Sequence, residues 1–377
     1  RKAPGKEYVV ILDFIGNYNN NFMIPVALSG DRSYNADVIR KYVISGNSTI
    51  PGASTVHFDE ISKDKIFKSI DKIKGMKTLI KESYVSLKNR LGRVPLLYDF
   101  YENQEIDPLV IIREYKTYDA FMVAMEQDKY KNVLNEQEKL TLEYLSKTVL
   151  SGVRPDELVI LSQLLHRDHI AVADFIKEYQ NTYGIEISTS RVKEAVQVLQ
   201  GHFVSKEAEY QKYCQIDILE NDPAGMIKRL QSYTHIPFYT QVEDIVKVGI
   251  ARYKEKYLPG IKSEDPFVLY EKYSRRDVSL LMNCGKDLSS IMYGMKRIEN
   301  DVFIFITYHK EESQDEKNYV DGKPDYADAF EDNLIFKWDS QIGKGLDSSY
   351  MKDVLGADRK HLFVKKSDAE TSFYYMG

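Results

Sequence analysis

The sequence contains few cysteines, a single tryptophan and no long apolar run. Two cysteines, Cys214 and Cys284, are too few for a disulfide framework or for a zinc site of paired thiolates. Such low cysteine usage fits a reducing cytosol. No apolar run approaches the roughly 20 residues that a membrane-spanning helix requires. We therefore expect a cytoplasmic protein that has no membrane partner.

The motifs of nucleotide hydrolysis and of metal-dependent catalysis are also missing. The sequence has neither a Gly-rich phosphate loop with its lysine nor the His-Glu-His or paired-cysteine spacing of a metal site. We therefore expect no cofactor, no metal and no catalytic residue in this chain. The densest acidic cluster can be interpreted as a Mg²⁺ site, but a solvated helix face explains it more simply. Its members are Asp325, Asp328, Glu331 and Asp332.

The chain is long enough for two or three domains. Its 377 residues are 43% apolar and 29% charged, which excludes global disorder. The formal net charge is −5, but ten basic residues oppose only three acidic ones between Lys63 and Arg93. Such a stretch can follow a phosphate backbone, or it can be a solvated helix face. The expected DNA-backbone contacts here are Lys74, Lys77, Lys81, Lys88, Arg90 and Arg93.

The apolar pattern divides the chain into three regions. Residues 1–74 include an apolar run at 7–14 that is typical of a strand buried in a parallel sheet, with its partner strands upstream. Residues 75–260 have the periodicity of helices. Residues 261–377 contain runs of β-formers, among them residues 302–308 and 361–366, and predict a curved sheet or small barrel. The expected fold class is therefore α+β with several domains.

Residues 155–203 resemble a helix-turn-helix or winged-helix module. Three helices are expected, the second over residues 170–183 and the third capped by Ser188. The third helix carries Arg191 and Lys193, which can face a DNA groove. A plain helical bundle explains three helices equally well.

Blocks at both ends of the chain resemble one group of enzymes. Residues 1–18, RKAPGKEYVVILDFIGNY, resemble the end of the second RecA-like lobe of certain superfamily-two helicases. Residues 267–278, 307–310 and 361–368 resemble the C-terminal domain of the same proteins. The group is that of the ATP-dependent type IV restriction enzymes of the SauUSI type, in which a phospholipase-D-like nuclease and a helicase precede that domain.

The resemblance implies that the chain is the C-terminal part of a larger bacterial enzyme. Residues 1–74 would be the tail of the helicase lobe, 75–260 a helical coupler, and 261–377 a target-recognition domain similar to the base-flipping SRA type. ATP, Mg²⁺ and the nuclease would belong to upstream domains, because the phospholipase-D signature is absent from this chain. The implied partners are duplex DNA with 5-methylcytosine or 5-hydroxymethylcytosine, those helicase and nuclease domains, and a second copy of the parent protein.

A pocket that tests an extruded cytosine needs aromatic faces, an acceptor for the amino group and cations for the phosphates. The C-terminal region holds these residue types, and Asp277 would accept from the amino group. The predicted DNA and base contacts are Tyr270, Tyr273, Ser274, Arg275, Arg276, Asp277, Tyr293, Tyr308, His309, Lys310, Trp338, Lys365 and Lys366.

Simpler explanations exist for several of these residues. Tyr270 and Tyr273, three positions apart, can be core residues, and Asp277 can pair with a neighbouring arginine. Trp338 can equally be a core residue. Among the proteins of the resemblance, the position of Cys284 is often tryptophan. If that ring stacks on the base, this chain uses another ring or reads another modification.

Two rival functions are compatible with the sequence. The helical region can be a helix-turn-helix regulator whose β domain senses a ligand, in which case DNA binding lies in residues 155–203 and ignores methylation. Alternatively, the β domain can be a metal-dependent nuclease that uses Asp325 and Asp328.

Overall fold

The computed structural model describes residues 21–29, 34, 36–45, 58–70, 75–130, 133–216, 218–221, 226–229, 235–261, 265–307, 329–330, 336–338, 345–365 and 370–377. The chain divides into two compact units, Arg1–Met76 and Lys77–Gly377. Helices and three β-sheets occur together in the described part, so the predicted α+β fold is confirmed. The strand expected at residues 7–14, and with it the RecA-like assignment, lies outside the described residues.

The described part of the first unit is helical. The backbone N–H of Phe22 donates to the Ser69 hydroxyl at 3.2 Å. This hydrogen bond connects the first described segment of the unit to its last described helix. Ile39, Val43 and Ile66 are buried between the helices. The helices are α1 (Met23–Ser29), α2 (Ala36–Ser45) and α3 (Glu60–Ile70).

The second unit begins with a large helical region. Local signals set several boundaries: the side chains of Asp107, Thr117, Asn135 and Ser188 each accept a backbone N–H in the first turn of a helix. The helices are α4 (Met76–Leu91), α5 (Leu97–Glu102), α6 (Pro108–Tyr115), α7 (Tyr118–Glu126), α8 (Glu136–Thr148), α9 (Asp156–Leu164), α10 (Val172–Tyr183), α11 (Thr189–Gln197), α12 (Glu207–Tyr213) and α13 (Ile236–Arg252).

The described elements between residues 156 and 229 have the order and the sheet of a winged-helix module, one of the two interpretations of residues 155–203. Strands β1 (His169–Ala171), β2 (Leu219–Asn221) and β3 (Met226–Arg229) form an antiparallel sheet in the order β1-β3-β2. The chain order is α9, β1, α10, α11, β2, β3, with α12 inserted before β2. A plain helical bundle would lack this sheet. Ser188 caps α11 as expected, since its hydroxyl accepts from the N–H of Arg191 at 3.1 Å.

The C-terminal region is built on a mixed five-stranded sheet in the order β4-β10-β9-β6-β5. Strands β6 and β9 pair in parallel and the other pairs are antiparallel. Phe267, Phe303 and Phe363 lie in the aromatic core of this region. The elements are β4 (Lys272–Tyr273), α14 (Arg275–Leu281), β5 (Met295–Ile298), β6 (Asp301–Thr307), β7 (Ala329–Phe330), β8 (Phe336–Lys337), α15 (Ser349–Leu355), β9 (Arg359–Lys365) and β10 (Phe373–Tyr375), with β7 and β8 forming a separate pair.

Two arginines join the helical region to the C-terminal region. Arg154 is buried beside Glu157 and donates through Nη1 to the Leu280 carbonyl and to Asn283 Oδ1, both at 2.6 Å. Arg276 pairs with Asp287 at 2.7 Å. Its Nη2 also donates across the boundary, to the Thr148 hydroxyl at 3.0 Å and the Phe203 carbonyl at 3.1 Å. Helix α14 is therefore held from both sides by the helical region.

A buried carboxylate in the helical region makes its stability depend on pH. Asp244 in α13 accepts backbone N–H groups of Leu97 at 2.5 Å and Tyr98 at 2.9 Å, at the start of α5. Burial nevertheless raises the pKa of Asp244 to about 6. The folded chain therefore holds a proton that the unfolded chain releases near its ordinary pKa of about 4, so this group lowers stability as pH rises from about 4 to 6.

We expect Asp244→Asn to remove this pH dependence. The free energy of unfolding of the variant minus that of the wild type should increase between pH 4 and pH 7. The increase should be about 1.4 kcal/mol for each unit of pKa shift. Urea unfolding of both proteins across this range measures the gap. A gap that is constant with pH would contradict the prediction.

Candidate nucleic-acid interface

Arg275 is the predicted contact whose surroundings differ most from an ordinary ion pair. Its guanidinium carbon lies 4.9 Å from the ring centre of Tyr293, 5.0 Å from that of Phe373 and 5.3 Å from that of Phe305. Helix α14 begins at this residue, and Phe305 and Phe373 come from strands β6 and β10. The fold thus brings one cation against three aromatic rings, which we call the Arg275 cage.

The charge in the Arg275 cage is balanced by no carboxylate within the described part of the chain. Its Nε is buried and has no hydrogen-bond partner there. Burial lowers the pKa of Arg275, whereas the nearby Tyr293 opposes this shift. Interaction with the ring faces offsets part of the cost of desolvating the cation. A half-buried guanidinium of this kind is suited to bind an anion that arrives from solvent.

Tyr293 gives the cage an exposed face, because 65% of the residue is accessible to solvent. Tyr270 is 44% exposed and has a left-handed backbone, with φ 67°. Its N–H donates to the Tyr375 carbonyl at 2.7 Å, which fixes the backbone at this position. Both rings are available to a ligand, unlike the rings of Phe305 and Phe373, which are buried.

Other predicted contacts have structural partners. Tyr273 is fully buried, packs on Phe267 and accepts the N–H of Val268 at 2.8 Å through its hydroxyl. Ser274 and Asp277 form the capping box of α14, in which Asp277 accepts from the Ser274 N–H at 2.7 Å. Asp277 therefore caps a helix instead of facing a base, because its carboxylate is turned back onto the backbone.

Arg276 and Trp338 also take structural positions. Arg276 is engaged by Asp287 and by the helical region, as described above. Trp338 packs against the cluster formed by Val302, Ile304 and neighbouring residues, as its core interpretation expected. Lys365 donates to the Glu370 carbonyl at 3.0 Å and lies 5.3 Å from the Phe373 ring, at the border of the Arg275 cage. Tyr308, His309, Lys310 and Lys366 lie outside the described residues.

Three of the five described phosphate contacts predicted between Lys74 and Arg93 are paired with carboxylates. Lys88 pairs with Glu126, Arg90 with Glu105 at 2.9 Å, and Arg93 with Asp99 at 2.6 Å. Lys77 and Lys81 are exposed, and Lys77 also lies 5.7 Å from the Tyr115 ring. Lys74 lies outside the described residues. Only part of the cationic face expected from the sequence is therefore available to phosphates.

Of the two basic residues of α11, one is paired with a carboxylate and the other is exposed. Arg191 is held by Asp156, with Nε at 2.6 Å and Nη2 at 2.9 Å from its two oxygens. Lys193 is exposed, and so are Ser190 and Gln197. The exposed face of α11 therefore carries one cation and polar side chains.

A cleft that the sequence reasoning missed lies where the winged-helix module meets the C-terminal region. It has a volume of about 810 Å³. Its walls come from α11, from the turn after α13, from the loop after α14 and from the β5–β6 hairpin. These segments are far apart in sequence, so no local pattern could have predicted it.

Cys284, beside this cleft, has the character of a structural thiol. It is partly buried, and its N–H donates to the Ser279 carbonyl at 3.1 Å. Burial raises the pKa of its thiol to about 11, and the nearby carboxylates of Glu194 and Glu299 act in the same direction. The thiolate is therefore disfavoured at neutral pH.

The described residues contain neither a metal-ligand cluster nor a membrane-spanning helix. No group of three or more His, Cys, Asp or Glu side chains there is arranged to hold a metal ion. The acidic cluster of Asp325, Asp328, Glu331 and Asp332 lies outside the described residues. None of the described helices combines the length and apolarity needed to cross a membrane.

Two family models match parts of the chain. Residues 80–257 are similar to a domain of unknown function, DUF8090, and residues 267–377 are similar to a second domain of unknown function, DUF3427. The second domain is often found in helicase-associated proteins. No curated protein matches the chain. Neither domain has an assigned activity.

Proposed function

We propose that the chain is the DNA-binding target-recognition and coupling region of a modification-dependent restriction enzyme. It would read 5-methylcytosine or 5-hydroxymethylcytosine in duplex DNA by flipping the base. It would act in the bacterial cytoplasm with upstream helicase and nuclease domains, as part of a parent protein that hydrolyses ATP and can dimerise. The match to a domain often found in helicase-associated proteins supports this setting.

The observation that carries the proposal is the Arg275 cage. Arg275 is a partly desolvated cation that has no carboxylate partner among the described residues, and such a cation is costly unless an anion reaches it. Arginine also binds phosphate through two parallel hydrogen bonds, and its plane stacks on aromatic rings and bases. The exposed ring of Tyr293 adds a stacking surface beside the guanidinium. A DNA strand offers both the phosphate and the ring that this arrangement can bind.

The coupling role is supported by the contacts of α14. Arg275 and Arg276 are adjacent, and the first belongs to the cage while the second reaches Thr148 and Phe203 in the helical region. At the other end of the helix, Arg154 holds the Leu280 carbonyl. A ligand that shifts α14 would therefore change contacts with the helical region directly, which is the physical connection that coupling requires.

The proposal is tested by titrating the whole chain with two duplexes of one sequence, one of which contains 5-methylcytosine. The whole chain is used because α14 depends on Arg154 and on the acceptors of Arg276. At matched salt we expect about tenfold tighter binding of the methylated duplex, the size of a single good base contact. Equal affinities would contradict the proposal.

The winged-helix topology favours a second candidate, a DNA reader that ignores methylation. Helix α11 would then enter the major groove with its exposed residues Lys193 and Gln197. We expect the double variant Lys193→Ala, Gln197→Ala to weaken binding of methylated and unmethylated duplexes equally. The salt slope should fall by about one phosphate contact if Lys193 binds the backbone.

Competition between the two duplexes separates the candidates. If the reader is the winged helix alone, the double variant loses affinity and the wild type shows no preference for 5-methylcytosine. If the C-terminal region reads the base, the preference survives in the double variant.

A further inference from the structure

The cleft between the winged-helix module and the C-terminal region has the features of a binding site. Its volume of about 810 Å³ falls within the roughly 300–1,000 Å³ of small-molecule sites. Leu281 and Met282, at the end of α14, and Ile261 and Pro266 contribute an apolar wall. Tyr183 and Tyr253 also line the cleft, and their ring centres lie 5.6 Å apart.

Two buried polar atoms of the cleft lining lack partners within the described residues. Tyr253 is 0% exposed, and its hydroxyl makes no hydrogen bond. Glu194 Oε2 is buried and likewise has no donor. Buried polar atoms are almost always satisfied, and hydrogen bonds from a bound ligand would satisfy these two.

The electrostatics favour a ligand that donates hydrogen bonds to Glu194. Burial raises the pKa of its carboxyl, and the nearby Glu299 acts in the same direction. Arg154 and Arg191 oppose this shift, but both are already paired, with Glu157 and Asp156. A donor in direct contact would supply the compensation that the two paired arginines do not.

The rim of the cleft contains two strained residues. Asn283 and Glu299 both have φ of 51°, a left-handed conformation that costs energy in residues with a side chain. Asn283 is held there by Arg154, which donates to its Oδ1 at 2.6 Å. Glu299 begins the two-residue turn between β5 and β6. Strain of this kind often accompanies binding sites, where surrounding contacts enforce it.

We infer that this cleft receives the extruded cytosine and that Glu194 accepts a hydrogen bond from its exocyclic amino group. The apolar wall of Leu281, Met282, Ile261 and Pro266 would contact the 5-methyl group. The inference rests on the proposed function and specifies where the base goes. The cleft and the Arg275 cage lie at opposite ends of α14, whose seven residues span about 10 Å.

Thymine is the sharpest probe, since it has the same methyl group but a carbonyl in place of the amino group. The Glu194 carboxylate attracts the amino group of 5-methylcytosine and repels the carbonyl of thymine. A glutamine at this position can donate as well as accept, so it should tolerate both bases. Three duplexes are needed, identical except for 5-methylcytosine, cytosine or thymine opposite one abasic position, so that no base pair has to be broken in any of them.

The affinities of these duplexes are measured by fluorescence anisotropy for the whole chain. We expect the wild type to prefer 5-methylcytosine over thymine by about tenfold and Glu194→Gln to lose that preference. Glu207→Gln makes the same chemical change on exposed α12 and should leave the preference intact. Ser190→Trp fills the cleft from an exposed position and should remove the preference for 5-methylcytosine over cytosine while DNA still binds.

The outcomes distinguish the inference from the proposal on which it rests. If the wild type prefers 5-methylcytosine but Glu194→Gln and Ser190→Trp keep that preference, the base lies elsewhere and only the cleft is excluded. If the wild type has no preference at all, the modification-reading function fails and the inference fails with it. Thermal unfolding of each variant establishes that it is folded before its affinity is interpreted.

Discussion

Replacing Arg275 with glutamine should weaken duplex DNA binding by about tenfold to a hundredfold, because a hydrogen bond to a charged group contributes roughly 1.5–3 kcal/mol. The loss should be similar for methylated and unmethylated duplexes, since a phosphate contact positions the DNA without reading its sequence. Arg275→Lys retains the charge but not the planar stacking on Tyr293, so it should bind with intermediate affinity.

Arg297→Gln is the matched control for this prediction. Arg297 lies in β5 and pairs with Asp353 at 3.3 Å on a partly exposed surface. Its replacement removes the same charge from the same region of the chain. A wild-type affinity in Arg275→Gln, or an equal loss in both variants, would show that the Arg275 cage does not bind DNA. The salt dependence of binding provides a second readout, because the slope should fall in Arg275→Gln, which loses the charge, and not in Arg275→Lys or Arg297→Gln.

The largest effect on stability is expected from Arg154→Met. The arginine is almost fully buried. Its removal deprives the buried carboxylates of Glu157 and Asp156 of this cationic partner, and the Leu280 carbonyl loses its hydrogen-bond donor. Breaking a buried ion pair by deleting one partner costs about 3–5 kcal/mol. Urea unfolding should therefore show a large decrease in the free energy of unfolding.

Two further variants make this prediction specific. Arg154→Met combined with Glu157→Leu should recover part of the lost stability, because the uncompensated charge of Glu157 is removed as well. Arg167→Met removes an exposed partner of Glu178 and should cost no more than about 1 kcal/mol. A comparable loss of unfolding free energy in Arg154→Met and Arg167→Met would mean that burial of the ion pairs of Arg154 contributes little to stability.

Several parts of the fold could be predicted because their signals are local. The cap of α11 by Ser188 depends on residues three positions apart. The runs of β-formers at residues 302–308 and 361–366 predicted β6 and β9, since such runs are typical of strands in any context. The three helices of residues 155–203 were expected, but the sheet that makes them a winged helix was not, because β1 and β3 are separated by more than fifty residues.

The arrangement of the candidate site, in contrast, could not be predicted from local signals. A tyrosine, two arginines and an aspartate close together in sequence predicted a pocket, and the structure gives Tyr273, Arg276 and Asp277 structural partners. The basic stretch of α4 predicted a cationic face, but its partners Glu126, Glu105 and Asp99 come from later segments of the chain. Composition gives the charges, whereas pairing depends on which segments the fold brings together.

The sequence by itself determined the fold class, the helix caps and the residue types from which a DNA-binding surface could be made. Only the tertiary structure decided which of them are available. Arg275 and Arg276 are chemically identical neighbours, yet consecutive residues of a helix point about 100° apart. One guanidinium therefore reaches the rings of Tyr293, Phe305 and Phe373, and the other reaches Asp287 and the helical region.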